Sequence, residues 1–171
     1  LDLDRFMGAG QTTLTRMGEA LDKVRKAKKP VLAYATGYGD DGYQLAAHAD
    51  EIWVNPLGGL LVAGPGGNRL YYRGLLDQLD VTVNIYKVGT FKSAVEPYSR
   101  NDQSPDAKQA LEGVYGPLWE SYRAEVAKAR PKAKLDAMIA DPVGAVQAAK
   151  GDLALAAKQA GLVDTIGDRV A

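Results

Sequence analysis

The 171-residue sequence has no cysteine. That excludes disulfides and thiolate chemistry and leaves the redox compartment open. It has a single histidine, His48, so a Ser-His-Asp triad would have to be built on that one imidazole. His48 falls in Ala46-Ala47-His48-Ala49-Asp50 near an expected helix end, where it reads as a cap for main-chain carbonyls. Histidines and carboxylates do not cluster at metal-ligand spacing, so neither metal nor cofactor is expected. Net charge is also missing: lysine plus arginine and aspartate plus glutamate both number 21. A nucleic-acid surface normally needs a basic excess, so no nucleic-acid partner is expected. No apolar run approaches the ~20 residues needed to span a bilayer. The first residues lack the basic segment and apolar core of a signal peptide. The start at Leu1-Asp2-Leu3-Asp4, without methionine, points to a soluble piece of a longer polypeptide. Internal repeats and low-complexity tracts are absent as well.

What is present is an alternation of helical and strand patterns, which indicates an α/β domain. Leu14, Met17, Leu21 and Val24 recur at helical spacing with charged residues between them, and Lys28-Lys29-Pro30 ends that helix. Val31 to Thr36 is a nearly continuous apolar run of the kind found in buried parallel strands. Gly37-Tyr38-Gly39-Asp40-Asp41-Gly42 is a turn opening a short helix, Tyr43 to Ala49. Ile52–Val54 and Leu60–Ala63 are expected as further strands. Gly64-Pro65-Gly66-Gly67 introduces a helix through Leu70, Gly74, Leu75 and Leu79; lacking a following Lys-Ser/Thr, it is no phosphate loop. Val81, Val83 and Ile85 alternate with polar residues at the strand period and lead to Lys92. Ser104-Pro105-Asp106 is a helix start, with a capping serine, a proline in the first turn and an acid near the positive dipole end. The pattern continues through Leu111, Val114, Leu118, Tyr122 and Val126 to about Arg130. Short helices are expected over Leu135–Ala140 and Leu153–Ala160, the last stopped by Gly161. The domain reading is an α/β domain over 1–130 and a helical appendage over 131–171.

The segment Val88-Gly89-Thr90-Phe91-Lys92-Ser93-Ala94-Val95-Glu96-Pro97-Tyr98 carries the candidate chemistry. Burial disfavours the charged form of an amine, so a lysine desolvated in such a turn can take a proton from a serine hydroxyl. Lys92 is the candidate general base; an ordinary surface lysine is the plain alternative. Ser93 is a poor nucleophile for it, because adjacent side chains in extended backbone project to opposite faces. Its hydroxyl reads better as support for a turn. Glu96-Pro97 can orient the loop, anchor its backbone or supply a second catalytic group. Gly39 and Gly42 could present oxyanion donors, but the neighbouring aspartates favour a simple helix-opening turn. Tyr71-Tyr72 and Trp119 read as packing or subunit contacts.

This lysine segment, with Arg100-Asn101-Asp102-Gln103-Ser104-Pro105 after it, resembles the lysine motif of the bacterial signal peptide peptidase family. These are membrane-bound, tandem-repeat serine proteases. Lys29-Pro30-Val31, Ala49-Asp50-Glu51-Ile52-Trp53-Val54-Asn55-Pro56, Leu70-Tyr71-Tyr72-Arg73-Gly74-Leu75-Leu76 and Gly161-Leu162-Val163-Asp164 extend the resemblance over nearly the whole chain. It implies the amino-terminal repeat of such a protease. The implied fold is a crotonase-like, Clp-protease-like spiral of ββα units with additional carboxy-terminal helices. The implied chemistry is a Ser/Lys dyad with Lys92 as base. The serine would lie in a carboxy-terminal repeat, since the family's Ser-Gly-Gly-Tyr turn reads Asp40-Asp41-Gly42-Tyr43 here and the serine position falls on Asp40. The implied substrates are apolar, signal-peptide-like peptides, and the implied assembly is a homo-oligomer, a tetramer. The implied location is the bacterial inner membrane, facing the periplasm, held by an anchor outside these residues. The competing reading is a non-catalytic crotonase-like scaffold or oligomerisation domain. An acyl-CoA hydratase is not supported, for want of paired glutamates in suitable turns.

Overall fold

The computed structural model describes residues 1–169. They form two compact units, the first made of Leu1–Gly64 together with the chain from Glu120 onward, the second of Pro65–Trp119. The fold is mixed α/β with a small parallel sheet.

In the first unit, helix α1 (Gln11–Lys26) precedes strand β1 (Leu32–Tyr38), helix α2 (Asp40–Ala46) and strand β2 (Glu51–Leu60). After the second unit the chain returns along the carboxy-terminal end of a 25-residue helix, α5 (Pro105–Ala129). Three short helices follow, α6 (Leu135–Ala140), α7 (Pro142–Ala148) and α8 (Leu153–Gln159), before strand β3 (Thr165–Ile166). The sheet order is β1-β2-β3 with both pairings parallel. Ala33 and Ala35 of β1 and Ile52 and Val54 of β2 are buried on one face. α2 packs on β1, and α8 on β2 and β3. The alanines give that face little bulk, which lets helices approach closely.

Hydrogen bonds of Asp164 and Tyr43 tie the carboxy-terminal segment into this unit. The Asp164 carboxylate accepts the Ile52 N–H at 2.8 Å and an Arg130 guanidinium N–H at 2.7 Å, while its own N–H donates to the Ile52 carbonyl. The fully buried Tyr43 donates its hydroxyl to the Leu162 carbonyl at 2.9 Å. Gly161 sits at φ +70°, the left-handed conformation that ends a helix at a glycine, as its position after α8 predicts. The outer edge of β1 is covered by the first residues of the chain. Leu3 donates to the Tyr34 carbonyl, Tyr34 donates to Leu1, and the Asp4 carboxylate takes the Thr36 N–H.

β2 is longer than its apolar core predicts because it carries an irregularity. Ala35 pairs with Val54, but the next pair is Gly37 with Gly59, so Asn55 to Gly58 oppose Thr36 alone. Pro56, which has no N–H to give a ladder, occupies this bulge, and the Asn55 side chain accepts from Leu57 N. The strand expected at Leu60–Ala63 is thus only the end of β2 at Leu60. The short helix expected at Tyr43–Ala49 starts earlier, at Asp40, and ends at Ala46. α7 and β3 lie outside the elements that the sequence pattern predicts.

The second unit holds helix α3 (Arg73–Gln78), a 3-10 turn (Ser93–Val95), helix α4 (Glu96–Ser99) and the amino-terminal part of α5. The strand expected over Val81–Ile85 is not there: residues 79–88 carry no regular structure. Alternation supplies two different faces but not a neighbour to pair with, and an unpaired strand is not stable in water. Tyr86 and Val88 are 93% and 90% exposed. In this unit Tyr72 stacks on Tyr98 with ring centroids 5.8 Å apart, and Tyr72 N donates to the Pro97 carbonyl at 2.6 Å.

The glycines make a direct test of this packing. A Cβ at Gly58 would lie 1.5 Å from the Thr36 carbonyl oxygen, whereas one at Gly113, inside α5, meets nothing within 4 Å. Gly58→Ala is expected to destabilise the chain by about 3 kcal/mol. Gly113→Ala is expected to stabilise it by about 0.5–1 kcal/mol through helix propensity. Urea denaturation of both variants beside the wild type checks the pair.

Candidate functional site

Lys92 stands at the junction between the irregular segment after α3 and the 3-10 turn. Its approach depends on Gly89, whose φ of +99° is a left-handed conformation that a side chain would strain. Lys92 itself has φ −83° and ψ 72°, and Ser93 N donates to the Phe91 carbonyl at 3.1 Å, closing a tight turn over it. Its side chain is exposed in this chain, and so is Phe91 before it; Ser93 is half-buried. No serine of this chain hydrogen-bonds to Lys92 among the described residues.

The ordered part of this segment lies just after the lysine. Glu96 is only 3% exposed, although it is an acid at the start of a four-residue helix. Its carboxylate accepts two hydrogen bonds from one residue, Ser104: the hydroxyl at 2.5 Å and the backbone N–H at 3.2 Å. The Ser104 oxygen in turn accepts the Ala107 N–H at 3.2 Å. Ser104 thus caps α5, as its sequence predicts, while giving its proton to Glu96. The Ser104 hydroxyl is the main reason the Glu96 carboxyl lies below the usual glutamate range. Burial opposes the shift, and the backbone bond with the charges of Arg100 and Lys87 supports it.

The turn carrying Asp40 belongs to the first unit. Asp40 opens α2, and its carboxylate accepts the N–H groups of Ala63 at 3.0 Å and Gly64 at 3.1 Å. Asp41 accepts the Ala9 N–H at 3.1 Å. Burial raises the Asp40 carboxyl above its ordinary range, Asp41 adds to that, and the two backbone bonds work against it. Two acids in the first turn suit the helix dipole, so the helix-opening reading of this turn agrees with its geometry. A cavity of ≈ 290 Å³ beside it is lined by residues including Phe6, Met7, Tyr38 and both aspartates.

His48 does not cap a carbonyl. Its ring is 1% exposed and its Nδ1 lies 3.0 Å from Asp22 Oδ1, with Glu125 Oε2 at 3.9 Å from Nε2. Room for the ring comes from Gly18, where a Cβ would fall 2.4 Å from Nε2. The histidine therefore joins α1 to the end of α2 and makes no catalytic constellation. Among the described residues no group of three or more histidines, cysteines or acids could hold a metal ion. Among them, too, no helix is long and apolar enough to cross a membrane.

The Glu96–Ser104 pair sets a pH dependence whose sign is fixed. Its carboxyl is depressed in the folded state, so the stability it contributes is present above the ordinary glutamate value of about 4.3. That contribution is lost as pH falls through the depressed folded value. Ser104→Ala is expected to move the Glu96 carboxyl up towards the ordinary range and to shrink the loss of stability on acidification. A carboxyl-resonance titration by NMR, with denaturation midpoints at pH 7 and pH 3, reads both.

Comparison with known proteins bears on the same segments. The model of Peptidase family S49 matches residues 23–170, a span containing both the Asp40 turn and the Lys92 segment. Protease 4 of Haemophilus influenzae is 38% identical over 173 residues, covering 99% of this chain and 28% of that protein. Protease 4 of Salmonella typhi is 43% identical over 122 residues, covering 71% of this chain and 20% of that protein. The chain spans less than a third of the length of these relatives. With a match over most of its residues, the chain belongs to peptidase family S49, the signal peptide peptidase family that its motifs resemble.

Proposed function

We propose that this chain is the lysine-bearing part of a Ser/Lys peptidase that degrades released signal peptides and other apolar peptides. The observation that carries the reading is the combination of the Lys92 segment with an Asp40 turn that has no serine. In this reading Lys92 supplies the base, and the turn at Asp40 offers no serine to act as nucleophile. Asp40 is already committed to the Ala63 and Gly64 amides. The family's relatives extend far beyond this chain, which leaves ample length for a second repeat carrying the serine.

In the assembled protein the serine hydroxyl attacks the scissile carbonyl as its proton passes to the Lys92 Nζ. The C–N bond then breaks, the leaving amine takes that proton, and an acyl-enzyme remains. Water attacks the ester, again giving a proton to Lys92; the C–O bond to serine then breaks, Lys92 passes that proton to the serine oxygen, and the carboxylic acid product leaves. A lysine performs this role only when water is kept from it. Lys92 is exposed here, and Phe91, Val88 and Tyr86 beside it expose large apolar surface. Large apolar side chains exposed this close together in sequence suit a segment that further polypeptide covers. The missing repeat, from the same polypeptide or a neighbouring subunit, is the cover in this reading.

The rest of the family reading belongs to the same proposal. The fold would complete a crotonase-like spiral once the remaining ββα units are present. Four copies would enclose the active sites, admitting extended peptides. The protein would sit at the inner membrane with its catalytic part towards the periplasm.

The test is made in the full-length protein. Lys92→Ala is expected to lower kcat on an apolar fluorogenic peptide by roughly 10²–10⁴-fold, and the isolated chain is expected to be inactive. Full activity in Lys92→Ala would favour the non-catalytic scaffold instead.

A further inference from the structure

Lys92 has little of its own to hold it. Gly89 precedes it, its side chain makes no hydrogen bond among the described residues, and the stretch before it carries no regular structure. What is rigid lies on its carboxy-terminal side. The 3-10 turn Ser93–Val95 runs directly into α4, whose first residue is the buried Glu96. Only the three residues of that turn therefore separate the amine-bearing position from a carboxylate fixed at both oxygens by Ser104. Ser104 is itself fixed as the cap of the 25-residue α5. The main chain around Glu96 is held as well: Arg100 N donates to its carbonyl at 2.9 Å, and the next residue, Pro97, accepts from Tyr72 N.

We infer that Glu96 is the positioning residue of the peptidase reaction: through Ser104 it fixes the turn that presents Lys92. The inference rests on the reading of Lys92 as the general base. Sequence alone leaves Glu96 between loop anchor and second catalytic acid, and the geometry separates the two. A carboxylate that is almost wholly buried and accepts two hydrogen bonds from one residue has no free oxygen directed at a substrate. Its depressed proton affinity points the same way, since an acid or base for catalysis near neutral pH needs the opposite shift. The linkage is mechanical. When Ser104 loses its hold on Glu96, α4 and the 3-10 turn gain freedom, and the lysine loses its orientation. Misplacement of a reacting group by about 1 Å costs on the order of 10²-fold in rate.

The experiment compares Glu96→Ala, Glu96→Gln and Ser104→Ala with wild type in the full-length peptidase, using one apolar fluorogenic peptide. Glu96→Ala is expected to lower kcat by roughly 10²-fold while KM stays within about threefold. Glu96→Gln keeps a carbonyl oxygen for the Ser104 hydroxyl and is expected to restore most of the lost kcat. Ser104→Ala, which deletes a single hydroxyl, is expected to fall between them, and it carries the test if Glu96→Ala does not fold. Two results overturn the inference. One is kcat within twofold of wild type in both Glu96→Ala and Ser104→Ala. The other is an equal, severe loss in Glu96→Ala and Glu96→Gln with Ser104→Ala unaffected, which would make the carboxylate itself a catalytic group. Lys92→Ala run alongside keeps the two ideas apart. If it stays fully active, the general-base reading has failed, whatever the Glu96 variants do.

Discussion

The carboxylate of Asp164 is the constraint on which the first unit depends. Parallel strands cannot be joined by a tight turn, so a β1-β2-β3 sheet has to bring back chain from far along the sequence. Here the returning segment is 112 residues beyond its partner on β2. Asp164 secures it by accepting from Ile52 N and from Arg130, so one side chain ties the sheet, the end of α5 and the approach to β3. The pair with Arg130 is only partly exposed to solvent. Removing one partner would leave the other charge under-satisfied, a costlier change than losing a surface ion pair. Tyr43, bonded to Leu162 two residues earlier, fixes the same segment from the α2 side.

The second unit is organised on a different principle. Many of its large apolar side chains, among them Leu70, Leu75, Leu79, Tyr86 and Val88, are exposed, and what it buries is an acid, Glu96, and the small Ala107. Glu96 and Ser104 give this unit a polar anchor where the first unit has an apolar core. Such an arrangement suits a segment that finishes its packing only against further polypeptide. It also suits chemistry, because the anchor holds the main chain next to Lys92 without occupying the lysine's own side chain. The first unit uses an acid in a similar way: Asp40, which opens α2, spends its carboxylate on the backbone amides of Ala63 and Gly64.

How much of this could be read from the residues depended on whether the signal was local. The start of α5 was legible because serine, proline and aspartate act within one turn. The bounds of α6 and the stop of α8 at Gly161 were legible for the same reason. α7 had a local signal too, Asp141-Pro142, with the Asp141 side chain accepting Gly144 N. That helix nevertheless has too few periodic apolar positions to show an amphipathic pattern. Val81–Ile85 failed in the other direction: alternation was present, but a strand also needs a partner. The Pro56 bulge, the two-residue β3 and the contact of His48 with Asp22, 26 residues away, were set by tertiary packing. Lys92 itself came from a motif. The role of Ser104 as a cap was visible, but its second bond to Glu96 was not, since a helix break separates the two.

An experimental structure of the full-length protein with its serine acylated tests most directly whether Lys92 serves a serine from outside this chain. The Lys92 Nζ is expected to be enclosed and within hydrogen-bond reach of the serine oxygen, about 2.6–3.2 Å, with Phe91 and Val88 covered by the serine-bearing repeat. A Lys92 side chain still directed into solvent, with a different residue of the protein contacting the serine oxygen, would contradict it.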